Sequence, residues 1–501
     1  MAHPSDDIVA AMRSPSPEDR KLVQKAFDFA ERVHGAEVRK SGAPYISHPH
    51  AIAITLAKLG MDRDTVVAGL LHDTTEDTDT SPDEIEKEFG PTVRFIVDGL
   101  TKLSKLKYRG LERHVESLRR LLVATASDIR VIIIKLADRL HNMETIEFIE
   151  PAEKRIRIAL ETREVYVPIA ERLGIGVLKA QLEDLSMKEL EPERYHKMSE
   201  FLTEQSEEKK DALEEAQKEL RKALAEGGLR TFRLEGRVKN VHSFTKKLAR
   251  KGGDVDKVYD IFAIRVIVPS IEDCYRVLGI VHALWRPIIG RVKDYIAAPK
   301  PNGYRSIHTT VITRRELSVE IQIRSEEMQR EAQFGVATHF NYKRGLPEIF
   351  TSGEWIKNFI PSLLKFASDH VENEAPKPRW LADLVEVAGT EEGQNAFQQA
   401  LKEDFLAERM FVFTPKGDVI DLPVGATVVD FAYAIHSGVG DSMSGAKVNA
   451  KMVPLHSSLH NGDIVEVLTK KSAKPSAKWL DYAKTSGAKH HIRSALNTKT
   501  R

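Results

Sequence analysis

The spacing of apolar residues changes twice along the chain, and the changes divide it. From residue 21 to about 195 hydrophobic positions recur every three and four, as in KLVQKAFDFAERV and ESLRRLLVATA. That is the period of helices with one buried face. TEQSEEKKDALEEAQKELRKALAEGG then carries only a narrow stripe, Leu213, Leu220 and Leu224, on an otherwise charged helix. This predicts a solvated connector, ended by Gly227-Gly228.

After Gly228 the pattern turns to strands. VYDIFAIRVIV and SVEIQIR are rich in Val and Ile, with helical DCYRVLGIVHALW between them, so a mixed α/β unit is expected over 231–345. Residues 346–405 read as linker helices or irregular chain, broken by Pro376 and Pro378. A small third unit, 406–470, opens with two short strands around the turn PKGD in MFVFTPKGDVIDLP. A helix capped at Thr427 with Asp430 follows, and NGDIVEVLT closes the unit. The tail, 471–501, is basic and is expected to have no core of its own.

At 501 residues the chain is long enough for two to four domains. Its net charge of +1 does not announce a nucleic-acid binder, although local basic patches can hide in a balanced total. One cysteine, Cys274, excludes a disulfide framework and points to a reducing compartment. Residues 1–20 lack a signal-type apolar core and are expected to form a tail. No run is apolar enough to span a bilayer. A cytoplasmic protein without membrane partners is the expectation.

The first candidate chemistry lies in LLHDTTEDT, where His72, Asp73, Glu76 and Asp77 follow the apolar run VVAGLL. On a continuous helix His72 would lie over Glu76 and Asp73 over Asp77. So acidic a face needs a compensating cation. His72 and Asp73 could ligate a divalent metal, with His48 in RKSGAPYISHPH and Asp138 in IIIKLADRLHN as further donors. Taken alone, the His-Asp pair reads more readily as a capping or surface pair than as a metal site.

The whole set resembles the HD phosphohydrolase superfamily. RKSGAPYISHP, LLHDTTEDT and IKLADRLHNMET, in that order, resemble the all-α hydrolase domain of RelA/SpoT homologue proteins, which make and destroy the alarmone (p)ppGpp. The resemblance implies that His48, His72, Asp73 and Asp138 hold Mn²⁺ and that Glu76 and Asp77 activate water. It implies that Arg39, Lys40, Ser41, Asn142 and Thr145 grip the guanosine and its phosphates. Glu144 stands where the family commonly has a basic residue.

The α/β unit has no P-loop motif. EGRVKNVHSFTKKLARK instead clusters cations, as a triphosphate site or a solvated helix would. In SVEIQIR, Glu320, Gln322 and Arg324 share one face of a strand, which suggests a site. Asp260, at the start of DIFAIRVIV, could pair with Glu320 around Mg²⁺. Strict alternation, however, puts Asp260 and Arg265 on opposite faces, unless Asp260 sits at the strand start or the strand twists or bulges. Tyr304 lies among Lys293 and Lys300 in a Pro/Gly loop, placed to stack on a purine or to anchor the loop.

YDIFAIRVIV, KDYIAAPKPNGYRSIHT and VEIQIRS resemble the synthetase domain of the same family, a nucleotidyltransferase-like fold. The resemblance implies Asp260 and Glu320 as catalytic residues on Mg²⁺, with Glu320 the base for the ribose 3′-OH. It implies Arg237, Lys239, Ser243, Lys247 and Arg265 for ATP, and Lys293, Lys300, Asn302, Tyr304, His308 and Gln322 for GDP or GTP. The implied reaction moves the ATP β,γ-pyrophosphate to that 3′-OH. Arg291-Val292-Lys293-Asp294 resembles the basic motif of bifunctional members.

The third unit resembles a TGS domain, a small β-grasp fold. Its His436 matches a position that meets the tRNA 3′ end, so the resemblance implies ribosome and deacylated tRNA as partners, although a helix-terminal histidine is also an ordinary structural feature. Long members continue through further modules, so a truncated or short form is expected. Two opposed activities imply mutual exclusion, with 196–230 as the coupling segment by its position alone. A tRNA-sensing module with a degraded site, and a generic HD phosphohydrolase fused to an unrelated nucleotidyltransferase, are the competing readings.

Overall fold

The computed structural model describes residues 3–104, 128–335, 337 and 409–497, except 259, 301–302, 416–418, 461 and 471. The expected linker over 346–405 and the acceptor candidate Asn302 lie outside the described residues. Those up to 337 form one unit and those from 409 another.

The first half of unit one is helical. Residues 1–20, expected to be a tail, contribute instead to the domain: α1 (Asp6–Ala11) buries Ile8 and Val9 against its neighbours. Two apolar side chains suffice, because a six-residue helix next to a packed pair needs only one buried turn. Ser16, Pro17 and Asp19 then form a capping box that starts α2 (Pro17–His34), whose Val23, Ala26, Phe27 and Ala30 face the core. There follow α3 (Ser47–Lys58), α4 (Arg63–Leu70), α5 (Thr74–Asp77), α6 (Pro82–Phe89) and α7 (Pro91–Ser104). After the undescribed stretch come α8 (Ile129–Glu144), α9 (Ala152–Glu161), a π-helical turn (Thr162–Tyr166), α10 (Val167–Arg172) and α11 (Gly176–Leu190). Nearly all of the apolar run of α8 is buried, and the helix packs on α3.

The continuous helix expected through His72 and Asp77 is broken. α4 ends at Leu70, the chain turns through Leu71–Asp73, and the one-turn α5 restarts at Thr74. The cause is competition for carbonyls. His72 Nδ1 donates to Gly69 O (3.0 Å) and Thr74 Oγ1 to Leu71 O (2.7 Å), acceptors a continuing helix would give to backbone N–H groups.

The segment expected as a solvated connector is also different. It is α12 (Pro192–Glu226), 35 residues long, and its stripe is core: Leu220 and Leu224 are fully buried and Leu202 and Ala216 nearly so. They pack in one cluster with Phe244, Val277 and Val281 of the α/β half. The helix stops at Gly227, and Gly228 takes φ +81°, a conformation open to glycine. Beyond it lies a six-stranded sheet in the order β1 (Arg233–Val238), β2 (Phe262–Val268), β6 (Ser318–Ser325), β5 (Ile307–Ile312), β3 (Arg286–Pro287), with β4 (Lys293–Asp294) also on β5. β2 and β6 are parallel and the other pairs antiparallel. Ile264, Val266, Ile321 and Ile323 are buried in the same core cluster as α14 (Ile271–Leu284). The opposite face carries the polar side chains. α13 (Val241–Arg250) and α15 (Glu326–Phe334) complete this half.

The two halves meet at α11. Asp184 accepts from His242 N (2.9 Å) and Asn240 Nδ2 (3.1 Å), so a carboxylate of the helical half satisfies the free N-terminus of α13. Beside it Glu183 pairs with Lys179 (3.7 Å) and His242 (3.5 Å).

In unit two, β7 (Arg409–Phe413) and β8 (Val419–Pro423) form the expected hairpin, and β9 (Met443–Val448) is flanked by β10 (Lys451–Val453) and β11 (Val465–Thr469). The helix α16 (Val428–Ile435) is capped as expected, with Thr427 N donating to Asp430 (2.8 Å). α17 (Ser437–Asp441) follows it. The tail was expected to lack a core, but α18 (Trp479–Tyr482) and α19 (Ser486–Asn497) supply Trp479 and the fully buried Ile492 to the core of this unit. Asp430, itself buried, also accepts from Lys484 N (2.9 Å) and Thr485 N (2.8 Å), which ties the tail to α16. Among the described residues no helix is long and apolar enough to cross a membrane.

Candidate active sites

The His/Asp cluster of the helical half is assembled by three elements. His48 comes from the first turn of α3, His72 and Asp73 from the break after α4, and Asp138 from the middle of α8. One donor atom each from His48, His72 and Asp138 lie within 4.8 Å of one another. Asp73 Oδ2 is 2.8 Å from His72 Nε2 and 3.8 Å from His48 Nε2, and His48 Nε2 is 3.3 Å from Asp138 Oδ1. The four residues expected to converge do so.

Hydrogen bonds on the far sides of the rings set which atoms face inward. A carbonyl only accepts, so His72 Nδ1 carries a proton toward Gly69 O, and in the neutral ring Nε2 is left as a lone pair. His72 Nε2 is buried and has no hydrogen-bond partner among the described residues. His141 Nδ1 must accept from Arg39 Nη1 (2.8 Å), so His48 Nδ1 donates to the same atom (2.8 Å) and its Nε2 also turns a lone pair inward. Lys135 Nζ, 3.4 Å from Asp138 Oδ2, offsets part of the acidic charge, and the two imidazole lone pairs beside two carboxylates still form a donor set for a cation. Burial works against positive charge on His72, yet Asp73 and Asp138 hold its pKa above the ordinary histidine value. The donor set and its geometry fit a divalent ion.

Around this cluster, Asn142 donates to Asp138 (2.6 Å) and accepts from Arg39 Nη2 (3.0 Å). Tyr45 OH lies 2.8 Å from Asp73 Oδ2 and 3.0 Å from Asp77 Oδ2, so it spans a ligand candidate and an acid candidate. Glu76 is partly buried and Asp77 exposed on α5. Thr145 Oγ1 caps back to His141 O (3.0 Å), Ser41 Oγ accepts from Ala43 N (3.4 Å), and Lys40 and Glu144 are exposed. Tyr45 and His141 were not among the expected site residues, although both lie inside the motifs RKSGAPYISHP and IKLADRLHN. Helical spacing gave no signal for either, because their importance lies in what they touch.

In the α/β half Asp260 lies in a turn two residues before β2, which removes the alternation difficulty without a bulge. Its Oδ2 receives Lys239 Nζ (2.6 Å) and Lys247 Nζ, and its buried Oδ1 has no partner among the described residues. Burial alone would raise the Asp260 pKa; the two lysines bring it below the usual range. Ala263 pairs with Glu320 across β2 and β6, and Lys239 acts on both acids. Glu320 accepts from Gln322 Nε2 (2.6 Å) and lies 3.3 Å from His308 Nδ1. Against the effect of burial, these partners lower its pKa to about 2. The orphan oxygen of Asp260 and the ionised Glu320 fit a second divalent ion.

Arg237 and Arg265, expected to share the ATP side, sit on β1 and β2, with Arg265 Nη1 bonded to Glu235 (2.9 Å). Burial, then Arg265, push the Arg237 pKa down. Ser243 is half-buried on α13, beside the helix face that carries Lys247. Lys300 Nζ stands 4.8 Å from the Tyr295 ring centre and 4.9 Å from that of Tyr304, and burial followed by Lys293 and Lys179 lowers its pKa. Lys293 pairs with His308 in the β4–β5 ladder. Cations crowded at such a cost mark a polyanion site. In unit two, His436 is exposed and its Nδ1 accepts from Gly438 N (3.0 Å).

A helical HD-type domain joined to a nucleotidyltransferase-like sheet and a β-grasp module defines the class. Family profiles agree with each part: HD domain over 26–176, a region found in RelA / SpoT proteins over 236–346, and TGS domain over 410–469. The chain is 43% identical over 491 residues to a GTP pyrophosphokinase of Myxococcus xanthus, covering 97% of this chain and 62% of that one. It is 42% identical over 497 residues to a guanosine-3′,5′-bis(diphosphate) 3′-pyrophosphohydrolase of Aquifex aeolicus, covering 99% of this chain and 67% of that one. It is 39% identical over 487 residues to the bifunctional (p)ppGpp synthase/hydrolase SpoT of Escherichia coli K12, covering 97% and 66%. The chain belongs to the RelA/SpoT homologue family. It spans about three-fifths to two-thirds of the length of these curated relatives.

Proposed function

We propose that this chain carries both opposed activities. The synthetase half transfers the β,γ-pyrophosphate of ATP to the 3′-OH of GDP or GTP, releasing AMP. The hydrolase half removes that 3′-pyrophosphate from (p)ppGpp, returning GDP or GTP and pyrophosphate. The observation that supports the reading is that each half keeps its own complete acid set: His48, His72, Asp73 and Asp138 converge in one, and Asp260 and Glu320 share Lys239 in the other.

In the hydrolase half, Mn²⁺ would be held by His48, His72, Asp73 and Asp138, supplying charge opposite the diphosphate and acidifying a water. Glu76 and Asp77 take the water's proton, Tyr45 holds Asp77 close to the ligands, and Arg39 and Asn142 stand at the mouth for the guanosine. Lys40, Ser41 and Thr145 would add contacts to the guanosine and its phosphates. In the synthetase half, Mg²⁺ would sit at Asp260 and Glu320 and neutralise the triphosphate. Glu320 accepts the proton of the 3′-OH. Lys239, Ser243, Lys247, Arg237 and Arg265 hold ATP, and an arriving triphosphate takes the two lysines that Asp260 now occupies. Tyr304 stacks on guanine, with Lys293, Lys300, His308 and Gln322 around the acceptor. His436, exposed at the start of α17, is the proposed contact for a tRNA 3′ end on the ribosome. A single cysteine in 501 residues suits the reducing cytoplasm.

The test is incubation with ATP and GDP, with and without Mn²⁺, followed by nucleotide chromatography. AMP and a 3′-pyrophosphorylated guanine nucleotide should accumulate, and added (p)ppGpp should be cleaved when Mn²⁺ is present. Asp73→Ala should lose cleavage alone and Glu320→Gln synthesis alone. Binding of deacylated tRNA without turnover of either nucleotide would refute the reading.

A further inference from the structure

Arg324 lies on β6, four residues after Glu320, and only 4% of it is exposed. No role follows for it from the reading above, yet it makes four side-chain hydrogen bonds. Two fasten elements: Nε donates to Ser306 Oγ (3.2 Å) and Nη1 to Gln329 Oε1 of α15 (3.1 Å). The other two point into the acceptor side: Nη2 donates to Tyr304 OH and to Gln322 Oε1 (3.2 Å). The guanidinium also lies 4.9 Å from the Tyr304 ring centre.

These bonds close a circuit whose direction chemistry dictates. An arginine can only donate and an ionised carboxylate can only accept. Tyr304 OH, accepting from Arg324, donates to His308 Nε2 (2.7 Å). The His308 proton therefore sits on Nδ1, toward Glu320 Oε1 (3.3 Å). By the second route Gln322 accepts from Arg324 at Oε1, which orients its amide so that Nε2 donates to Glu320 Oε2 (2.6 Å). Both routes begin at one guanidinium and end on the two oxygens of one carboxylate. A glutamine amide could otherwise be turned either way, and a tyrosine hydroxyl rotates freely; the Arg324 fork removes both freedoms.

We propose that Arg324 is a positioning residue of the synthetase site, aligning the guanine-stacking ring of Tyr304 and the carboxylate of Glu320 at once. This rests on the synthetase reading above and adds to it a residue that touches neither substrate. The bland alternative is that Arg324 only fastens β6 to β5 and α15, through Ser306 and Gln329.

The experiment measures synthesis with GDP and ATP varied separately, in the full chain, with (p)ppGpp cleavage as an internal check of folding. Arg324→Lys keeps the charge but not the planar fork. It should raise the KM for GDP and lower kcat, about tenfold or more in kcat/KM, while the KM for ATP and cleavage stay unchanged. Tyr304→Phe keeps the ring and cuts one arm of the circuit. Combined with Arg324→Lys it should lose less than the product of the single losses, because both break the same circuit. Gln329→Ala cuts only a fastening bond and should leave the GDP parameters as they were. Gln329→Ala matching Arg324→Lys, fully multiplicative losses, or a KM for ATP rising in step with that for GDP would each overturn the positioning role. An unsubstituted chain that makes no 3′-pyrophosphorylated guanine nucleotide would overturn the function reading, and this inference with it.

Discussion

Replacing Leu220 by alanine removes three carbons from the C-terminal third of α12, where the side chain is fully buried. At about 0.8 kcal/mol per buried methylene the transfer loss alone is roughly 2.4 kcal/mol. The cavity left among Leu224, Phe244 and Val277 brings the cost to about 2–5 kcal/mol, the range for buried Leu→Ala changes. For a domain of 150–250 residues that corresponds to a fall in Tm of roughly 4–20 °C. Lys218→Ala, two residues away and exposed, is the control and should stay within about 0.5 kcal/mol. The assay is thermal unfolding by circular dichroism, paired with the temperature at which synthesis is lost. If α12 were a solvated connector, Leu220→Ala and Lys218→Ala would behave alike. Equal melting curves for the two would refute its assignment to the synthetase core.

Two further outcomes follow from the geometry. His141→Ala frees the Nδ1 proton of His48 and should weaken Mn²⁺ binding by about 10–100-fold in calorimetry, while synthesis persists; unchanged affinity would show that His141 does not orient the ligand. Glu183 is held below its model-peptide value of 4.5: burial opposes this, but His242, Lys179 and Lys246 outweigh it. A depressed carboxylate contributes stability above its unfolded pKa and loses it as pH falls through the folded one. The melting temperatures of the parent chain and Glu183→Gln should therefore converge as pH drops below 4.5, and a constant gap would contradict the assignment.

Much of the site was legible because the motifs are local. His72-Asp73, the strand alternation of Glu320 and Gln322, and the loop around Tyr304 each announce themselves within a dozen residues. Where sequence reasoning failed, a local rule met a tertiary competitor. Helical spacing put His72 over Glu76, but side-chain bonds to Gly69 O and Leu71 O broke that helix. The charged surface of α12 hid a stripe that is core, because a narrow stripe of leucines is enough when α13 and α14 pack on it. The basic tail looked solvated, yet Trp479 and Ile492 had a β-grasp core waiting for them.

By itself the sequence determined the helical first half, the strands that follow, the third unit and the residue types of both acid clusters, since period and motif are properties of neighbours along the chain. Only the tertiary structure decided which imidazole nitrogen faces inward, which lysines hold Asp260, and that Arg324 commands both arms of the acceptor side. Those are properties of donors and acceptors brought together from as far as 103 residues apart, as Arg39 and Asn142 are, and no periodicity encodes them.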